Sequence, residues 1–194
     1  MATGRARRRG GQAVKVVVTG PFAAGKTTLI RTISEITVLS TERGITDSTR
    51  KRKAETTVAM DFGRITIDRD LVLYLFGTPG QDRFGFMWDD LVVGALGAVV
   101  LVDLRRIDDC FPAIDFFESR GVPFIVAINR FPDGPAPNTT EVREALDLAP
   151  EVPLVECDVR YKESVKSVVL SLLELLIVQF KTNRRQSGAR KAFR

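Results

Sequence analysis

Histidine is missing altogether from this chain of 194 residues. That removes histidine-dependent triads and histidine-ligated metals from consideration. Cysteine is nearly missing too, with only Cys110 and Cys157, far apart in sequence. A disulfide framework needs more, so both read as small core residues in a reducing compartment, and the chain is expected in the cytoplasm. No apolar run approaches the roughly 18 residues of a membrane-spanning helix. No apolar segment follows the N-terminal charges, which argues against a signal peptide. Residue 2 is Ala rather than Gly and no cysteine lies near residue 194, so no lipidation signal is expected.

Acidic residues are absent from two stretches. Residues 1–13 carry Arg5, Arg7, Arg8 and Arg9, and residues 181–194 carry Lys181, Arg184, Arg185, Arg190, Lys191 and Arg194. Of 29 basic residues ten lie in these tails, which leaves 19 against 24 acidic ones, so the net charge of +5 belongs to the ends. Such ends read first as solvated, disordered tails. The sharper reading is attraction to an anionic membrane surface, at about 1 kcal/mol per basic residue near it. That would place the protein peripherally at the inner face of the plasma membrane. The acidic remainder and the lack of a basic face with interleaved aromatics argue against nucleic acid.

Between the tails the length fits one domain, residues 14–180. Runs of apolar and β-branched residues predict strands at Val14–Thr19, Val58–Ile67, Leu71–Phe76, Ala98–Asp103, Pro123–Asn129 and Leu154–Cys157. Helical spacing is expected over Thr27–Ile36, Phe86–Leu96, Asp108–Ser119, Thr140–Leu148 and Ser164–Phe180. Strands alternating with helices mean an α/β fold with a mostly parallel central sheet flanked by helices. Residues 37–57 are polar and include Arg50-Lys51-Arg52-Lys53, the pattern of a mobile loop.

Gly20 to Thr27 (GPFAAGKT) satisfies G-x-x-x-x-G-K-[ST] between a predicted strand and a predicted helix, the context that phosphate-loop motif requires. Glycines let backbone approach phosphate oxygens, and successive N–H groups with the helix N-terminus hold negative charge. The candidate phosphate set is Gly20, Ala23, Ala24, Gly25, Lys26, Thr27 and Thr28. In it Lys26 reaches the β and γ phosphates and Thr27 is a ligand for Mg²⁺.

Gly77-Thr78-Pro79-Gly80-Gln81 follows a strand and resembles the D-x-x-G-Q element of Ras-like small GTPases. The resemblance implies that the Gly80 N–H contacts the γ-phosphate and that Gln81 orients the attacking water. Thr57-Val58-Ala59-Met60-Asp61-Phe62-Gly63 resembles the T-I-G-V-D-F-G segment of Rab-type GTPases. That likeness gives Thr57, or Thr56 beside it, the role of closing onto Mg²⁺ and the γ-phosphate. GPFAAGKTT, TTVAMDFG, LFGTPGQDRF, MWDDL and GALGAVVLVDLRR together resemble the small GTPases of actinomycete conservon operons, relatives of bacterial MglA-type GTPases. This likeness runs from about Val14 to Phe180. It implies a P-loop NTPase with a Ras-like GTPase fold and a GTP/GDP switch with Mg²⁺. It also implies a Roadblock/LC7-type partner and a membrane histidine-kinase-like sensor from the same operon.

The chain departs from the Ras pattern at several positions. Gly77 stands where Ras-like proteins have an Asp that supports Mg²⁺, and Asp61 on the neighbouring strand reads either as a substitute acting through water or as a surface strand carboxylate. Phe22 stands in the phosphate loop where Gly is common, and its bulk is expected to slow hydrolysis. The base motif reads Asn129-Arg130-Phe131-Pro132-Asp133: Asn129 matches N-K-x-D, Arg130 replaces Lys, and Asp133 comes one position late. Guanine is favoured, with adenine or weak selectivity as the alternative. Cys157, Asp158 and Val159 occupy the place of S-A-K, where backbone N–H groups meet the base. Arg43, Arg50, Arg52 and Arg83 are candidates for an arginine finger, with a solvated charged loop as the plainer reading. Phe84-Gly85-Phe86-Met87-Trp88 reads as a partner patch or as packing against the sheet.

The sequence thus points to a slow GTPase switch in bacterial signalling, with Gln81, Lys26 and Thr57 in catalysis and Thr27, Thr57 and Asp61 at the metal. The alternative is a nucleotide-locked interaction module with little turnover. A P-loop kinase would need a lid-sized insertion, and none is visible.

Overall fold

The computed structural model describes residues 12–40, 60–80 and 82–192. β1 (Gln12–Thr19) leads through a tight loop into α1 (Lys26–Ile33). The short β2 (Leu39–Ser40), β3 (Asp61–Asp68) and β4 (Leu71–Gly77) follow. A 3₁₀ turn then precedes α2 (Trp88–Val92), and β5 (Ala95–Val102) comes next. A second 3₁₀ segment joins α3 (Phe111–Arg120), β6 (Phe124–Asn129) and α4 (Thr139–Ala145). β7 (Leu154–Cys157) and the long α5 (Lys162–Ala192) complete the chain.

The strands form a sheet in the order β2-β3-β4-β1-β5-β6-β7. β4, β1, β5, β6 and β7 run parallel, and β3 is antiparallel to both β4 and β2. β1 explains itself: its alternate valines feed two cores at once. Val16 and Val18 pack with Leu29 and Ile30 of α1 and with Val165, Val168 and Leu172 of α5. Val17 belongs to the core on the other face, with Ile114 and Phe117 of α3 and Val142 of α4. The stretch Val16–Val18 is covered on both faces, and such a stretch reads as a continuous apolar run.

Boundaries moved where local chemistry overrode periodicity. The helix expected over Phe86–Leu96 is cut short, because Gly94 takes φ 75° and the chain turns straight into β5 at Ala95. The helix expected from Asp108 starts only at Phe111, with Pro112 in its first turn where a missing N–H costs nothing. α1 ends at Ile33 rather than Ile36, and Ser34 adopts an extended conformation. α5 continues beyond Phe180 to Ala192 as one helix. No helix among the described residues is long and apolar enough to cross a membrane. Both cysteines are buried and free. Burial pushes the Cys110 thiol up to about 11 and the Cys157 thiol up to about 12, which keeps them unreactive.

Candidate functional site

In an open α/β sheet a ligand lies beyond the carboxyl ends of the strands, where the chain direction of winding switches. Among the described residues, the phosphate loop, Gly77–Gly80, Asn129 and Cys157–Val159 fall there. Thr19 ends β1, Gly77 ends β4, Val102 ends β5, Asn129 ends β6 and Cys157 ends β7.

The loop from Gly20 to Gly25 is a backbone device. Gly20 has φ 136° and Gly25 has φ 105°, and a Cβ on Gly20 would clash with the Leu101 carbonyl oxygen. Ala23 sits at φ 63° although it is not glycine. A left-handed non-glycine residue is stored strain of the sort found at ligand loops. α1 begins at Lys26 with no acidic residue in its own first turn, and the one carboxylate that reaches it, Asp61, comes from β3. Ala24 is buried and Thr28 exposed.

Lys26 is buried at 7% exposure, and its Nζ donates to the carbonyls of Gly20 and Pro21, both at 2.7 Å. Gly80 closes the same space from the far side. A Cβ there would lie 2.7 Å from Lys26 Nζ and 3.0 Å from the Phe22 Cα. The Thr27 hydroxyl donates to Asp61 Oδ2. Asp61 pairs in register with Gly77, and a Cβ on Gly77 would come within 3.1 Å of the Asp61 Cβ. The carboxylate missing from β4 is thus matched by one on the adjacent antiparallel strand, in space that glycine leaves open. Next along the chain, Thr78 Oγ1 donates to Thr19 Oγ1 at 2.9 Å, both buried.

Asn129 ties three segments together. It is 4% exposed, its Nδ2 donates to the Ala24 carbonyl at 3.0 Å, and its Oδ1 accepts from the Val159 N–H at 3.2 Å. The remaining base-side residues are engaged within the fold. Both oxygens of Asp133 accept from Arg105 Nη1, at 2.9 and 2.8 Å. The Arg105 bond holds the Asp133 carboxyl below its usual range. Arg130 pairs with Glu156. The N–H groups of Asp158, Val159 and Arg160 already have acceptors in Ser164 Oγ, Asn129 Oδ1 and Asp158 Oδ1. The Asp158 carboxylate is held by Arg160, whose hydrogen bond lowers its pKa. The carbonyl of Cys157 accepts from the Arg130 N–H at 2.8 Å.

Sequence reasoning missed Asp103, Arg105 and Arg106, which follow β5 directly. Asp103 is 1% exposed and binds the Arg105 guanidinium at 2.7 Å. That bond holds the Asp103 carboxyl low. The same guanidinium lies 3.8 Å from the Phe131 ring centre. The signal available was three charges, D-L-R-R, at the end of a wholly apolar strand. Of the aromatic patch, Trp88 packs edge-on against Phe116 with ring centres 5.3 Å apart, while Phe86 is 73% exposed. Gln81, Thr56, Thr57, Arg43, Arg50 and Arg52 lie outside the described residues, as do residues 1–11. Arg83 falls in the 3₁₀ turn before α2.

Comparison with known proteins bears on fold and family. The chain superposes on the G domain of the T. maritima FeoB iron transporter with a TM-score of 0.62 at 17% identity, covering 84% of this chain and 99% of that one. The FeoB G domain of Methanococcus jannaschii gives 0.59 at 11% identity, covering 85% and 98%. The fold is therefore the α/β P-loop NTPase fold of Ras-like G domains. In sequence, an uncharacterized protein of Methanocaldococcus jannaschii is 34% identical over 119 residues, 60% of this chain and 70% of its own length. An elongation factor G-like protein of Synechocystis sp. is 27% identical over 150 residues, 72% of this chain but only 22% of its own length. Residues 38–179 match a family described as conserved hypothetical ATP binding protein. That span starts after the phosphate loop and includes Asp61, Gly80, Arg105 and Asn129. With it established, the chain belongs to the family of conserved hypothetical ATP binding proteins.

Proposed function

We propose that this protein is a small guanine-nucleotide-binding switch that hydrolyses GTP slowly with Mg²⁺. The observation that carries the reading is the convergence of Lys26 Nζ, Gly80 and the Thr27–Asp61 pair at one end of a strained phosphate loop. Loop N–H groups and the start of α1 receive the phosphates, and Lys26 neutralises them. Two hard oxygen donors, Thr27 Oγ1 and Asp61 Oδ2, stand side by side, a set that fits Mg²⁺ shared with phosphates and water rather than a full protein cage. The ion would offset charge on the phosphate oxygens. Gln81 would position the attacking water, and Thr57 would sense the terminal phosphate.

The name of the matched family speaks of ATP, and the structural neighbours are G domains. Asn129 in its bridging place supports a base pocket of the G-domain kind, and Asp133 is the carboxylate available to select guanine. A second reading is favoured by the arginine partners of Asp133 and Asp158: a nucleotide-locked interaction module with weak base selection and little turnover. Membership in the conservon group, with its Roadblock/LC7-type partner and histidine-kinase-like sensor, rests on the sequence resemblance. Contact with an anionic membrane is supported by exposed Ile177, Val178 and Phe180 beside exposed Lys181 and Arg184 on α5. Loss of vesicle co-sedimentation on deleting the tails would support it, and unchanged binding would end it.

The deciding experiment is to denature the purified protein, identify the released nucleotide by anion exchange, then follow phosphate release with GTP and with ATP. Bound GDP and slow GTP turnover support the switch. Retained GTP supports the locked module, and adenine nucleotide overturns the base assignment.

A further inference from the structure

We propose that Arg106 is a built-in phosphate-facing arginine, delivered to the terminal phosphate of a bound nucleoside triphosphate from the loop between β5 and α3. The inference rests on the nucleotide reading above but concerns the phosphate and not the base.

The loop is built to present this side chain. Asp103, buried at the end of β5, accepts from the Arg105 N–H at 3.1 Å and grips the Arg105 guanidinium at 2.9 and 2.7 Å. The Arg106 N–H returns to the Asp103 carbonyl at 2.9 Å. Arg106 itself leaves helical geometry, with φ −148° and ψ 59°, and breaks the 3₁₀ segment in two. That break separates the two neighbouring arginines: Arg105 goes to Asp133, and Arg106 Nη2 reaches across to the Phe22 carbonyl in the phosphate loop.

The place it reaches is defined by the other groups. The Phe22 Cα and Lys26 Nζ are the two nearest atoms that a Cβ on Gly80 would meet. Three successive loop carbonyls, Gly20, Pro21 and Phe22, therefore accept from two cations, Lys26 and Arg106. Arg106 has Asp109 only at 3.6 Å, and its side chain stays 46% exposed. Two like charges brought to one short loop repel each other, and a polyanion between them relieves that repulsion. A guanidinium keeps its charge at all working pH values and carries five donors, so it can hold the carbonyl and turn onto a phosphate oxygen without a proton transfer.

In hydrolysis the oxygen of water bonds to the terminal phosphorus. The bond from phosphorus to the bridging oxygen breaks, and its electron pair stays on the nucleoside diphosphate. Inorganic phosphate leaves, with the water protons shared between phosphate and solvent. Arg106 offsets charge on the transferring oxygens. An arginine so placed is worth on the order of 10³-fold in rate.

The test uses the full-length protein and its Arg106→Ala and Arg106→Lys variants. Diphosphate affinity is measured with fluorescent GDP and ADP, and single-turnover phosphate release with GTP and ATP in Mg²⁺. Capture of aluminium fluoride by the diphosphate-bound protein is the third readout. The expected result is a loss of roughly 10²- to 10³-fold in hydrolysis for Arg106→Ala, with aluminium fluoride capture abolished. Diphosphate affinity should stay within about threefold, because the arginine acts on the terminal phosphate. Arg106→Lys, which keeps the charge and the fold but loses the fork, should fall between. Equal hydrolysis in wild type and Arg106→Ala overturns the inference. So does a parallel loss of diphosphate affinity and thermal stability with the hydrolysis step unchanged, which would make Arg106 a tether of the loop. A wild type that binds nucleotide without hydrolysing either triphosphate overturns it as well, and leaves the nucleotide reading standing. Absence of all nucleotide binding defeats both, and is seen before any variant is made.

Discussion

The end of the candidate site proposed for phosphate and the end proposed for the base are made of different material. At the phosphate end the positions are held by backbone: a glycine at φ 105°, an alanine at φ 63°, and Gly80 close against Phe22 and Lys26. At the base end they are held by side-chain ion pairs, with Arg105 on Asp133 and Arg130 on Glu156 from separate segments and Arg160 on Asp158 within one loop. A backbone device depends on which residues can adopt which torsions, and that is written locally. An ion-pair device depends on which arginine arrives from elsewhere. Asn129 joins the two ends, bonding Ala24 on one side and Val159 on the other.

The sharpest way to break the comparison is at the phosphate end. Lys26→Ala removes a buried cation and should weaken GDP and GTP binding about 100-fold or more, since each charge-assisted bond is worth about 1.5–3 kcal/mol. Isothermal titration would read it, and near-native affinity would mean that the phosphates lie elsewhere. Asn129→Ala comes next. It strands the Ala24 carbonyl and the Val159 N–H in the interior and should cost about 2–3 kcal/mol of stability in urea unfolding. If only base preference changed, Asn129 would belong to the base end alone.

Asp61→Asn is expected to raise the Mg²⁺ concentration needed for tight nucleotide binding about tenfold, because one of the two oxygen donors loses its charge. Gly77→Asp should not improve matters, since its Cβ would crowd Asp61 at 3.1 Å. Improved metal binding in Gly77→Asp would show that the carboxylate had not moved to β3. Smaller still is Arg105→Ala, which frees Asp133 and should shift the GTP-to-ATP preference severalfold, read by competition binding. No shift would detach Asp133 from base selection.

The least effect is expected from acid. Asp103 has its pKa lowered from 3.8 by the Arg105 bond, so its contribution to stability is complete above that value and fades as pH falls below it. Thermal melts of wild type and Asp103→Asn between pH 5 and 3 should converge toward the lower limit. Parallel curves would remove Asp103 as the buried anchor of its loop.

The strands were legible because two-sided burial leaves a continuous apolar run: AVVLVD and PFIVAIN lie in β5 and β6 with slipped ends. The phosphate loop was legible because glycine spacing and the flanking strand and helix are local. Element ends were less so. Gly94 and Pro112 stopped or delayed helices whose apolar spacing ran on past them. The place of Asp61 on the strand beside Gly77 was readable in outline, but the Thr27 contact needed the antiparallel register of β3 against β4.

By itself, then, the sequence determined the alternating α/β order, the two-faced central strands and the loop that can receive phosphate, because each depends on torsional preference and burial within a few residues. Only the tertiary structure decided which charged groups meet. Arg105 finds Asp133 across 28 residues and Arg106 finds the Phe22 carbonyl across 84, and no local pattern sets such pairings. They follow from β5 lying beside both β1 and β6, which brings the loop after β5 between the phosphate loop and the base loop.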